Sequence, residues 1–139
     1  MNLDKLFELF TESKEDEFDS IAIDFKNSPI YWIGMYKKLI LNTPKFNEKI
    51  VKFFKESNKE LDAEEMSEAG EWLTYQRAWN YIQYINPEDD LHIRAIKNYS
   101  DEHLDVSLKL GIKYFEDKEI YEKCALLKKI LDKSLESSL

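Results

Sequence analysis

Two histidines, each set among carboxylates, are the most chemically suggestive residues of this chain. Asp89 lies three residues before His92 and Glu88 four before it, so on one helix carboxylate and imidazole would share a face. Glu102 and Asp105 flank His103, one residue before it and two after. Nitrogen and oxygen donors on a helix face are what a metal site needs, so one expectation is a metal-dependent helical enzyme using His92, His103 and the neighbouring carboxylates. Carboxylate metal sites in helical bundles are built from Glu-x-x-His motifs on facing helices, and that motif is absent. Helix-surface histidines paired locally with acids are therefore the leading expectation, with no metal and no cofactor.

The single cysteine, Cys124, falls on an apolar stripe, where a small hydrophobe is expected, and only Lys123 and Lys128 stand nearby to stabilise a thiolate. There is no glycine-rich phosphate loop, no G-x-S-x-G, no C-x-x-C and no H-E-x-x-H. No catalytic residue is nominated, and the chain is expected not to be an enzyme. Its aromatic side chains offer a different chemistry. Tyr31, Trp32, Tyr36, Trp72, Tyr75, Trp79, Tyr81 and Tyr84 could stack on a ligand, but most recur at the spacing a helical core requires. Tyr81 and Tyr84 fall toward the edge of that stripe and suit a patch for a partner.

Charge is distributed in blocks. Residues 1–24 hold eight acids and two bases, residues 25–59 eight bases and two acids, and residues 60–71 six acids and no base. Solvated helix faces explain such blocks most simply. The sharper expectation is an interaction surface that joins Glu15, Asp16 and Glu17 to Glu64, Glu65 and Glu68, with Tyr81 and Tyr84 as its aromatic part. If the acids fall side by side they would face a basic protein, or imitate DNA. A net charge of -8 repels a phosphate backbone, so direct nucleic-acid binding is not expected.

The elements that must position these residues are marked by three prolines. Ser28-Pro29, Thr43-Pro44 and Asn86-Pro87 each place a capping side chain before a residue suited to the first helical position, which predicts three helix starts. Ile30 to Leu41 is apolar around most of its circumference and reads as the central helix. Phe46, Ile50, Val51, Phe53 and Phe54 give the next helix a core face, with Lys45, Lys49, Lys52 and Lys55 outside. Asp62 and Glu65 resemble a capping box opening the longest helix, Ala63 to Ile85. Three shorter helices follow, Pro87 to Asn98, Asp101 to Phe115 and Lys118 to Leu135, the last two antiparallel neighbours. Gly111 predicts a close helix approach. Upstream, Leu3, Leu6, Phe7 and Phe10 suggest a short amphipathic helix, and Phe18, Ile21, Ala22 and Phe25 another, although residues 21–25 also alternate as a strand would.

With 139 residues, 43% hydrophobic side chains and only three glycines, the expectation is a single all-α domain over residues 1–139, a compact orthogonal or antiparallel bundle of about seven to eight helices. One cysteine makes no internal disulfide, no basic-apolar leader is seen, and no apolar run approaches membrane-spanning length; these favour the cytoplasm without membrane insertion.

From Lys113 to Lys133 the sequence KYFEDKEIYEKCALLKKILDK resembles the UVR motif, a short helical hairpin of nucleotide-excision-repair subunits and some chaperone adaptors. Glu119, Tyr121, Glu122, Ala125, Leu126 and Ile130 carry the resemblance, which covers under a sixth of the chain. In that family the hairpin joins proteins together, so the resemblance implies an interaction role and no activity. Both lines lead to one expectation, a small acidic helical protein that binds another protein as an accessory, an inhibitor or immunity-type protein, or an assembly subunit.

Overall fold

The computed structural model describes residues 13–57 and 62–136. Among them the chain forms an all-α bundle of seven helices with no strand: α1 (Ser13–Lys26), α2 (Pro29–Leu41), α3 (Thr43–Ser57), α4 (Ala63–Ile82), α5 (Asp90–Asn98), α6 (Glu102–Asp117) and α7 (Tyr121–Leu135). The alternating residues Ile21 to Phe25 belong to α1. The segment containing Leu3, Leu6, Phe7 and Phe10 lies outside the described residues.

Of the three proline signals, Ser28-Pro29 works as read. Ser28 is extended, its hydroxyl accepts from the Tyr31 N–H, and Pro29 opens α2. Thr43-Pro44 also opens a helix as expected, α3, one residue after α2, but the Thr43 hydroxyl donates to the Leu39 carbonyl at 2.8 Å and closes α2 instead of capping α3. The third signal is displaced. Asn86 Oδ1 accepts from the Glu88 N–H at 3.0 Å, which makes a turn around Pro87, and α5 starts only after Asp89, whose carboxylate accepts from the Leu91 and His92 N–H groups. An Asn-Pro pair suits a turn as well as a cap, and the carboxylate three residues on captures the orphan donors. That turn also stops α4 at Ile82, short of the expected Ile85.

The α6–α7 connection ends α6 in a Schellman pattern. The Ile120 N–H bonds to the Phe115 carbonyl and the Glu119 N–H to the Glu116 carbonyl, with Glu119 at φ 61° in the left-handed region where glycine is usual. Hence α7 begins at Tyr121, three residues later than its composition suggested.

The core is arranged around α2. Ile33, Tyr36 and Ile40 are buried against Tyr75, Ala78 and Ile82 of α4, Leu104, Leu108 and Phe115 of α6, and Leu127 and Ile130 of α7. The Tyr36 hydroxyl donates to the Ser107 carbonyl at 2.7 Å, inside this core. Gly111 makes that approach possible: a Cβ there would collide with the hydroxyl and lie 3.0 Å from Leu127 Cδ1. α2 and α4 run antiparallel, since Tyr31 at the start of α2 meets Tyr81 at the end of α4. α6 packs most extensively on α7.

Asp101 caps α6 by accepting from the Leu104 N–H at 2.7 Å, and it pairs with Lys37 of α2 at 3.2 Å. The backbone donor first, and then Lys37, hold its carboxyl below the ordinary 3.8. A carboxyl lowered by folding adds stability above its unfolded value and loses that contribution as pH falls through the folded value. Asp101→Ala is therefore expected to cost about 1 kcal/mol in urea denaturation at neutral pH. The difference from wild type should shrink progressively once the pH falls below 3.8.

Candidate interaction surfaces

The residues with catalytic potential are held apart or occupied. His92 lies in the first turn of α5; its Nδ1 accepts from the Asn86 backbone N–H at 2.8 Å, and its ring meets Trp32 edge-on at 6.0 Å. His103 is exposed on the first turn of α6. Among the described residues no three His, Cys, Asp or Glu side chains come together as a metal site would require. The Cys124 thiol is buried and donates to the Ile112 carbonyl at 3.4 Å. Burial, with the charge of Glu116 behind it, raises its pKa, so the thiolate needed for nucleophilic chemistry is disfavoured.

Tyr81 and Tyr84 lie at an aromatic end of the bundle, built where α1 ends, α2 begins and α4 stops. Tyr31 and Trp32 are consecutive on α2, so their rings leave the helix on different sides and seed two rows. In the first, Phe25 meets Tyr31 at 5.5 Å and Tyr31 meets Tyr81 at 5.8 Å, both edge to face. In the second, Trp32 lies between Tyr84 at 5.4 Å and His92 at 6.0 Å. Phe25 is 52% exposed and Tyr84 59% exposed, although each has a ring fixed beside it. α1, which packs on α2, ends here with Asp24 and Lys26 exposed on either side of Phe25, and with Ile21 and Ile23 exposed one turn earlier. Glu15, Asp16 and Glu17 belong to its first turns, and their side chains lie outside the described residues.

Glu64, Glu65 and Glu68 are exposed in the first turns of α4, far from this aromatic end. Thirteen residues at about 1.5 Å each put Glu68 about 20 Å along the helix from Tyr81. The acids stand beside α3 instead. There Glu64 and Glu71 line a cleft of about 1230 Å³ with Val51, Lys52, Lys55 and Tyr75. Glu65, on the opposite flank, borders an apolar groove with Ile50, Phe54, Met66 and Leu73. The Tyr75 ring stacks on Tyr114 at 3.9 Å, and burial together with the Glu71 charge pushes both phenols up to about 12.

The expectation that Phe46, Phe53 and Phe54 pack into the core is corrected here. All three are exposed, Phe53 by 64%, because α3 packs on α4 and touches only the end of α2. Trp72 is likewise half out of the aromatic face of α4, against Tyr114 at a centroid distance of 6.4 Å. Sequence periodicity shows that such faces are apolar; it carries no signal for whether another helix covers them.

Residues 113–133, which resemble the UVR hairpin, span the end of α6, the intervening turn and most of α7. Ile130 is in the core, and Tyr121 and Glu122 are exposed. No family model matches the chain, and no curated protein or solved structure is similar to it.

Between α3 and α4, Asn47 Oδ1 is buried without a hydrogen-bond partner among the described residues, 2.7 Å from where a Cβ on Gly70 would sit. Removing an unpaired buried acceptor and restoring helix propensity both favour the folded state. Asn47→Ala is expected to stabilise by about 0.5 kcal/mol, and Gly70→Ala by about 1 kcal/mol more in that background but less in the wild type. Chemical denaturation of the four proteins checks this.

Proposed function

We propose that the chain is a non-enzymatic helical protein that binds another protein through the aromatic end of the bundle. The observation that carries this reading is the pair Phe25 and Tyr84, rings more than half exposed yet braced by Tyr31 and Trp32. A braced aromatic loses little conformational freedom when a partner covers it, and such residues supply most of the binding energy at protein interfaces. The exposed Asp24 beside Phe25 and the net charge of -8 favour a basic partner, steered by charge and anchored by the rings. An interaction role is also what the likeness of residues 113–133 to the UVR hairpin implies. An accessory protein, an inhibitor or immunity-type protein and an assembly subunit all fit this chemistry, and the cytoplasm is the proposed location. No helix among the described residues is long and apolar enough to cross a membrane.

The test is affinity recovery of the full chain from its native cells, followed by titration of the recovered partner. The reading predicts that binding weakens with rising salt and that Phe25→Ala and Tyr84→Ala each weaken it by tenfold or more, with the helical circular dichroism unchanged. Lys109→Ala, on an exposed face of α6, should leave it intact. Equal affinity for the Phe25→Ala/Tyr84→Ala double variant would overturn the proposal, as would turnover of a metabolite by the isolated chain.

A further inference from the structure

We infer that the α3–α4 arm is a dimerisation element, and that its occupant is the same arm of a second copy of this chain. α4 has 20 residues and its antiparallel neighbour α2 has 13, so α4 overshoots it. Ile40, in the last turn of α2, is level with Glu71 and Tyr75, where they line the same cleft. From there back to Ala63, α4 is accompanied by α3, which packs on α4 and touches α2 only slightly. Among the described residues this part of the molecule is two helices thick. A helix pair of that kind can bury the seam between its members but not the flanks.

One flank is apolar along its length. Ile50, Phe54, Met66, Ala69 and Leu73 line a continuous groove on it, with Phe53 64% exposed and Leu73 53% exposed. Charge identifies what covers that flank. Lys52, Lys55, Glu64 and Glu71 line the cleft on the other flank, which leaves Lys45 and Lys49 of α3 and Glu65 and Glu68 of α4 exposed outside it. An acidic helix from elsewhere would complement α3 and be repelled by α4; a basic helix would do the reverse. A second arm presents both signs. Laid with its α3 over the first copy's α4, and by symmetry its α4 over the first copy's α3, it matches lysine rows to glutamate rows on both sides of a shared apolar centre. Four antiparallel helices then enclose Phe53, Phe54 and Leu73 as a bundle core. The arm lies at the opposite end of α4 from Tyr81 and Tyr84, so this inference is independent of the binding surface proposed above.

Sedimentation equilibrium of the full chain should report a species of twice 16.6 kDa at micromolar concentration. Lys45→Glu/Lys49→Glu and Glu65→Lys/Glu68→Lys, both confined to exposed side chains, should each raise the dimer dissociation constant at least tenfold while keeping the wild-type circular dichroism. Mixing the two variants should restore a tight heterodimer, since each then meets its complement. A wild-type chain that remains monomeric would overturn the inference; so would a dimer that neither double variant weakens, or two variants that stay apart when mixed. Phe53→Ser gives an independent check and should dissociate the dimer without unfolding the chain, because that side chain is mostly outside the monomer's core.

Discussion

The arrangement of this protein depends on one long-range hydrogen bond in a largely apolar core, from the hydroxyl of Tyr36 to the carbonyl of Ser107. A buried phenol left without an acceptor costs more than its hydrogen bond would contribute. Tyr36 finds one on α6, and it reaches that backbone only because position 111 has no Cβ. Leu127 of α7 closes the same spot from the other side. Burial, reinforced by Tyr75, holds the phenol well above its ordinary pKa of 10 and so keeps it neutral. Three helices are thereby fixed in rotation and register by one side chain. Apolar packing alone would tolerate a sliding contact between them; a hydrogen bond to one particular carbonyl does not.

Once α2 is fixed against α6, the positions of the exposed features follow. α4 pairs antiparallel with α2 and is longer, so one of its ends is level with the start of α2 and the other extends past its finish. At the level end, Tyr31 and Trp32 receive Tyr81 and Tyr84 and brace the aromatic surface. At the overhanging end, α3 follows α2 after a single residue and runs on along the remainder of α4, leaving a two-helix arm among the described residues. The proposed partner surface and the proposed dimer arm are thus the two ends of one helix, set apart by its length.

Much of this was legible in the sequence. The all-round apolar character of residues 30–41 marked α2 as central, the Ser28-Pro29 pair fixed its start, and the glycine in the stripe of α6 pointed to a close approach. Where the capping reading failed, the physical cause is competition for a side-chain oxygen. Thr43 can cap a following helix or finish a preceding one, and Asn86 can cap or turn; the outcome depends on which backbone groups the fold leaves unpaired. Glu119 in a left-handed conformation has no sequence signal, since glycine is the residue that would have announced it. The arm was invisible for another reason. Lys45 to Phe54 has the pattern of any amphipathic helix on a core, and spacing does not tell a covered face from an open one. Likewise, Glu64, Glu65 and Glu68 share α4 with Tyr81 of the expected interaction surface, but only the length of that helix shows that they lie toward different ends.

The most direct test of this account is a double-mutant cycle on Tyr36→Phe and Gly111→Ala, read as unfolding free energy in urea. Removing the hydroxyl should cost about 1 kcal/mol. Adding a methyl beneath it should cost about 2 kcal/mol, despite the better helix propensity of alanine. Because the methyl would enter the space the hydroxyl leaves, the double variant should lose less than the sum of the two by at least about 0.5 kcal/mol. Strictly additive costs, or a Gly111→Ala variant more stable than wild type, would contradict the claim that the Tyr36 contact over Gly111 sets the register of the bundle.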